Sequence, residues 1–350
     1  MERSEVRNAE CKMQNAESIP VDSHSAIQNP QSAPPAGGAC RVKKWIARIR
    51  DMLEKKRVRE ALVAEDQRLF EDDYAAHFDK AYTKTPDVGR PFLLHPWFPK
   101  GGIVLIHGYM AAPLEVRAMA EYLYQKRYAV YGVRLKGHGT SPADLANTHW
   151  EDWGRSIEHG YAVMRTITDN VILGGFSMGA GLALLAAGQK RGDVSAVFAI
   201  AAPLKLWSNA ARLAPSMVRV NAWLKRFNWS KFRWEYVEND PENKHINYTS
   251  NPIAGVAELS NAMNIMEDLL KDITAPTIIL QGSHDPVVHP DSGPAIFDKV
   301  GTPLKEYTLF ARDRHGIING PGAEEVFERV YQFLTYARET QRREPTGGAR

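Results

Sequence analysis

Cysteine is nearly absent from this chain. Two occur in 350 residues, Cys11 and Cys40, and both precede residue 41. A disulfide framework or a cysteine-built metal site is therefore not expected. The scarcity fits a reducing, cytoplasmic setting. No apolar run reaches about 18 residues, the minimum for a transmembrane helix. The opening residues Met1-Glu2-Arg3-Ser4-Glu5-Val6-Arg7 hold no apolar stretch of the secretory type. An excess of one charge is lacking too. Against 44 Lys and Arg stand 41 Asp and Glu, a formal net charge of +3, and so small a surplus does not argue for a nucleic-acid partner. What remains is 44% hydrophobic and 24% charged, the make-up of an ordinary soluble enzyme with ample chain for a core.

Residues 1–40 are rich in Ser, Asn, Gln, Ala and Pro and are expected to form a disordered tail. Over 41–71 the character changes. Arg41, Lys43, Lys44, Arg48, Arg50, Lys55, Lys56, Arg57 and Arg59 accompany Trp45, Ile46, Ile49, Leu53 and Leu62 at near-helical spacing. That spacing predicts a basic amphipathic helix. Such a helix either packs against the body or projects as an oligomer contact, or else it lies on an anionic membrane surface as a peripheral contact. The first two readings are preferred, because long charged helices usually present a solvated face. Residues 72–340 are read as the main domain.

From Gly102 onward apolar strands alternate with helices. The strand runs are Ile103-Val104-Leu105-Ile106, Tyr128 to Val133, Val171-Ile172-Leu173, Ala196 to Ile200, Thr277 to Leu280 and Tyr307 to Phe310. Helices are expected around Val116 to Leu123, over 150–168, after residue 177 and over 322–338. This alternation predicts the α/β class, a mostly parallel sheet with helices on both faces. Ligands in such sheets sit at the carboxyl ends of the strands.

One strand end carries Gly175-Phe176-Ser177-Met178-Gly179, a serine on a sharp strand-to-helix turn with small neighbours. A serine hydroxyl is a poor nucleophile without a base, and the base needs an orienting acid. In sheets of this kind the expected order is Ser, then Asp or Glu, then His. Asp285 follows the strand at 277–280 and His315 follows that at 307–310. His107, His138, His149 and His284 compete for the base, and Asp291 and Asp313 for the acid, with poorer placement. Acyl transfer also needs donors for an oxyanion. The backbone N–H groups of Met178 and Tyr109 are the candidates, with the Tyr109 hydroxyl a weaker alternative.

Between about 203 and 265 the alternation stops. Trp207, Trp223, Phe227, Trp229, Phe232, Trp234 and Tyr236 interleave with basic residues. An insertion here is expected to cover the strand ends as a cap. Trp207, Trp223 and Phe227 are candidates for lining a substrate pocket, or for the cap's own small core, and the basic-aromatic mix also suits a peripheral lipid contact or, less well, stacking on single-stranded nucleic acid.

These pieces carry a family resemblance. His107-Gly108-Tyr109, Leu135-Lys136-Gly137-His138-Gly139-Thr140, the 175–179 elbow, Gly282-Ser283-His284-Asp285-Pro286-Val287-Val288 and His315-Gly316 occur in order. From about 100 to 338 the chain resembles an alpha/beta-hydrolase, and more narrowly the bacterial carboxylesterase and monoacylglycerol-lipase-like branch. The resemblance implies cleavage of small carboxylic esters, with no cofactor and no metal. It implies Ser177, Asp285 and His315 as a triad, with Tyr109 and Met178 as oxyanion donors. A thioesterase or acyltransferase would share every one of these residues, and a non-catalytic binding protein would be expected to lack one. The first 100 residues match nothing in that family.

Overall fold

Residues 37–205, 210–226 and 234–343 are described by the computed structural model. The expected tail falls outside them except for its last four residues, which are already helical. The chain divides into two units, Met1–Arg50 and Asp51–Arg350.

The apolar runs become strands of one sheet: β1 (Phe92–Leu94), β2 (Gly102–Ile106), β3 (Ala129–Val133), β4 (Val171–Phe176), β5 (Ala196–Ile200), β8 (Thr277–Gly282) and β9 (Lys305–Phe310). Two short strands, β6 (Tyr236–Glu238) and β7 (Ser250–Pro252), pair separately and antiparallel. The main sheet has the order β1-β3-β2-β4-β5-β8-β9. Only β1 runs antiparallel to its neighbour. The chain steps outward from β2 to β3, then crosses back to β4 on the other side of β2. That reversal opens a crevice at the carboxyl ends of β2 and β4, where the His107 loop and Ser177 lie.

The helices are α1 (Gly37–Ala76), the single turn α2 (Pro86–Gly89), α3 (Arg117–Gln125), the single turn α4 (Pro142–Leu145), α5 (Trp150–Arg165), α6 (Met178–Lys190), α7 (Ala210–Arg226), α8 (Ile253–Leu269), α9 (Ser292–Lys299) and α10 (Ala323–Arg343), of which α3 and α10 cover one face of the sheet and α5, α6 and α9 the other. Strand periodicity divides the core in two. Ile103 and Leu105 of β2 join Met119 and Leu123 of α3 and Phe333 of α10. Val104 and Ile106 join Trp153 of α5 and Leu185 of α6. Each such fully buried side chain contributes roughly 1.5–3 kcal/mol.

The basic helix expected at 41–71 runs from Gly37 to Ala76. Its later part is tied to the body by buried polar contacts. Asp66 accepts from the Tyr131 hydroxyl at 2.5 Å, and Asp73 accepts from Arg134 at 2.6 Å and Lys136 at 2.5 Å. Arg134 is buried, and Asp73 together with Asp144, 3.7 Å from the guanidinium, neutralises a charge that would otherwise be costly to hold there.

Within the expected cap, α7 and the β6–β7 ladder interrupt the sheet's layers. The last helix, α8, packs instead on the elbow helix α6. A Cβ on Gly188 would stand 2.8 Å from the Leu269 side chain, so the glycine permits that close approach.

Candidate active site

β4 delivers Ser177 to the crevice in an uncommon conformation, φ 54° and ψ −124°. A non-glycine residue there stores about 1–3 kcal/mol of strain. The turn closes because its flanks lack side chains. A Cβ on Gly175 would lie 2.5 Å from the carbonyl carbon of Gly179, and one on Gly179 would lie 2.3 Å from the Ile106 carbonyl oxygen. Gly181, one position further along the helix than Ala180, has ordinary room, a Cβ there standing 3.6 Å from Met266 Sδ. Ser177 N–H donates to the Ile200 carbonyl at 2.8 Å, fixing the turn to β5.

The three sequence candidates meet at the strand ends. His315 Nε2 stands 2.9 Å from Ser177 Oγ, and His315 Nδ1 stands 2.7 Å from Asp285 Oδ2. Asp285 Oδ1 is held by the N–H groups of Val287 at 2.8 Å and Val288 at 2.9 Å. Gln281 reaches Oδ2 at 3.3 Å. Burial alone would raise the Asp285 pKa. The His315 contact and the two backbone donors outweigh it, and the carboxyl is held below its usual range. An ionised Asp285 accepting from Nδ1–H leaves Nε2 as the unprotonated nitrogen facing the serine.

The loop after β2 forms the other wall. His107 is fully buried, its Nδ1 2.8 Å from the Gly108 carbonyl and its Nε2 accepting from Leu135 N–H at 3.3 Å. Burial pushes its pKa down to about 4, so it stays neutral and braces two loops. Glu115 follows in the 3-10 turn Pro113–Val116. Its Oε2 accepts the Gly108 N–H at 2.6 Å. Burial raises this carboxyl to about 7.

Tyr109 does not turn its hydroxyl toward the serine. The hydroxyl donates to Asn251 Oδ1 and to the Pro252 carbonyl, each at 3.2 Å. Its ring lies edge-on to Trp153 and His138. The backbone N–H of Tyr109 makes no backbone hydrogen bond among the described residues. Met178 opens α6, where N–H groups lack helical partners.

The competing residues are occupied elsewhere. His138 is buried against His107 and Trp153. His149 caps α5, its N–H donating to Asp152. His284 pairs with Ser283, and Asp291 sits beside His289 and Lys205. Asp313 is exposed. Trp207 and Phe227 lie outside the described residues. Trp223 is half exposed on α7. Nearby, a groove of about 340 Å³ is lined by Leu213, Ser216, Met217, Val220, Asn221 and Trp234. Among the described residues, no group of three or more His, Cys, Asp or Glu is arranged to hold a metal ion.

The fold agrees with known proteins. A family model described as serine aminopeptidase, S33, matches residues 98–322, more than half of the chain. The chain belongs to that family. This S33 hydrolase is 27% identical over 236 residues to the thermostable monoacylglycerol lipase of Bacillus sp. (strain H-257), covering 67% of this chain and 90% of the relative. It is 24% identical over 251 residues to the carboxylesterase of Bacillus subtilis (strain 168), covering 68% and 95%. Among solved structures, it resembles one described under two metagenome-derived lipolytic enzymes, LipS and LipT. That match has a TM-score of 0.64 at 24% identity and covers 73% of this chain and all of the other. The monoacylglycerol lipase of Paleococcus ferrophilus matches with a TM-score of 0.59 at 18% identity, covering 71% and 98%. These structures share the alpha/beta-hydrolase fold. The family match begins at residue 98, so α1 and β1 of the S33 hydrolase lie outside it.

Proposed function

We propose that the protein is a serine hydrolase of carboxylic esters, acting on short- to medium-chain acyl esters or monoacylglycerols. The observation that carries this reading is the hydrogen-bonded line from Asp285 through His315 to Ser177 Oγ, 2.7 and 2.9 Å, ending on a strained elbow.

In this reading His315 Nε2 takes the Ser177 proton as Oγ attacks the ester carbonyl carbon. The carbonyl oxygen gains negative charge, and the N–H groups of Met178 and Tyr109 stabilise it by about 3 kcal/mol each. Collapse expels the alcohol, which leaves with the proton from His315. A water then attacks the acyl-enzyme with His315 again as base, releasing the acid and restoring Ser177. Asp285 stays ionised throughout and keeps the imidazole oriented.

Rates over p-nitrophenyl esters of rising chain length, monoacylglycerols, an acyl thioester and an aminoacyl p-nitroanilide test the substrate class. Ester cleavage well above the other two is the expected result. Cleavage of the anilide or thioester alone would overturn it.

We also infer that α7 meets an anionic lipid surface. Leu213, Val220 and Trp223 are exposed on it, next to Trp234. Arg219, Lys225 and Arg226 accompany them, and the helix has no acidic residue. Apolar contact and lipid charge would act together there. Cosedimentation with anionic vesicles should fall in the double variant Leu213→Glu, Val220→Glu. Unchanged sedimentation would dismiss the contact.

A further inference from the structure

The stretch from Asp240 to Pro252 leads from the insertion back to α8 and is laced to the site. Tyr248 N–H donates to the Met110 carbonyl at 3.0 Å. The Tyr248 hydroxyl accepts Thr140 N–H at 2.8 Å and donates to the Gly137 carbonyl at 3.1 Å. Asn247 hydrogen-bonds the Glu115 carboxyl, which in turn holds Gly108. Asn251 and Pro252 accept from Tyr109. These contacts all concern the oxyanion side of the crevice and the 137–140 loop.

One contact reaches the other side. Glu242 Oε1 accepts the backbone N–H of His315 at 3.0 Å, and its Oε2 accepts that of Gly316 at 3.1 Å. A carboxylate spanning two consecutive N–H groups makes charge-assisted bonds, stronger than neutral ones and more demanding of geometry. The same contact accounts for Gly316. A Cβ there would stand 2.6 Å from Glu242 Oε2, so any side chain would push the carboxylate off. The His315 backbone sits on a loop beyond β9, not in a strand or helix.

We propose that Glu242 is a positioning residue for His315. It fixes the backbone that carries the imidazole, so the ring stays in line with Ser177 Oγ only while the 240–252 stretch is seated. Displacement of that stretch breaks both N–H bonds together and unlocks the base. The alignment of the base is thereby coupled to the seating of the insertion. The inference rests on the triad reading given under Proposed function.

The test compares Glu242→Ala and Glu242→Gln with the parent, and with Lys244→Ala as a neighbouring control. Lys244 pairs with Asp240 along the same stretch. Steady-state kinetics on a short p-nitrophenyl ester, the rate of fluorophosphonate labelling and the melting temperature are read for each. Glu242→Ala is expected to lower kcat and the labelling rate together by about 10- to 100-fold, the scale of a small misplacement of a reacting group. KM should stay within about twofold, since no substrate contact is removed. Glu242→Gln should recover part of the loss, because its amide oxygen can still accept one N–H. Lys244→Ala should match the parent. Unchanged kcat and labelling in Glu242→Ala would overturn the proposal. So would a loss that tracks a fall in melting temperature with no recovery in Glu242→Gln. If the parent itself is not labelled at Ser177, the triad reading fails instead, and the two failures are told apart.

Discussion

Gly179 faces the carbonyl oxygen of His107 so closely that a Cβ would stand 2.5 Å from it. The oxygen belongs to the end of a buried loop that cannot retreat without moving His107 and its bond to Leu135. Gly179→Ala should therefore lift the first turn of α6 away from β2, costing about 1–3 kcal/mol of stability as overpacking does. Ester hydrolysis should fall too, because Met178 N–H moves with that turn. Gly181→Ala is the control. Its Cβ has room, and replacing a helical glycine by alanine is expected to gain up to about 1 kcal/mol. Thermal melts of the two variants should shift in opposite directions.

Asp285→Asn tests the orienting acid without removing its anchor. The asparagine carbonyl can keep the Val287 and Val288 N–H bonds, so the melting temperature should change little. The amide cannot stabilise the imidazolium, and it favours the wrong histidine tautomer. A drop in kcat of about 10,000-fold is expected, as for other triads. Steady-state kinetics at saturating ester checks it, and a loss below about tenfold would argue against the role.

Glu115 gives a pH dependence of definite sign. Its folded pKa is about 7 against an ordinary 4.5, with burial the main cause. Between those values the native state keeps a proton that the unfolded state releases, so stability falls as pH rises through the window. Above pH 7 the accumulated penalty is on the order of 3 kcal/mol. Glu115→Gln keeps an acceptor for Gly108 N–H and never ionises. It should be more stable than the parent at pH 8 and show no gain at pH 4.5. His107 pulls the other way, since its depressed pKa of about 4 makes stability rise with pH between about 4 and 6.5. Denaturant titrations should therefore show a steeper climb over pH 4.5 to 6.5 in Glu115→Gln than in the parent.

Much of this was legible in the sequence for physical reasons. Strands buried on both faces read as unbroken apolar runs, which located β2, β5 and β8 within a residue or two, while β4 runs three residues past its apolar run, through Gly174, Gly175 and Phe176. Ser177, Asp285 and His315 were legible because each ends or follows such a run. Glu115 and Glu242 were not. Glu115 acts on Gly108, seven positions earlier, across an irregular turn. Glu242 acts on His315, which lies 73 positions later. Neither partnership follows a helix or strand period, and an acidic residue in a loop looks the same whether it holds a backbone or faces water. Tyr109 was picked out for its backbone N–H and, more weakly, its hydroxyl, and that the hydroxyl instead reaches Asn251 and Pro252 required the position of a segment more than 140 residues away. The helix α9 was hidden because Gly293 and Pro294, at its start, read as a turn. Trp207 and Phe227 were picked out by composition alone and lie outside the described residues.

The proposed reaction stands or falls with Ser177 as the nucleophile. The most direct measurement is mass spectrometry of the protein after treatment with a fluorophosphonate. A single adduct is expected, mapped to the peptide containing Ser177, and none in Ser177→Ala. An adduct that persists in that variant, or an unmodified parent, would contradict it.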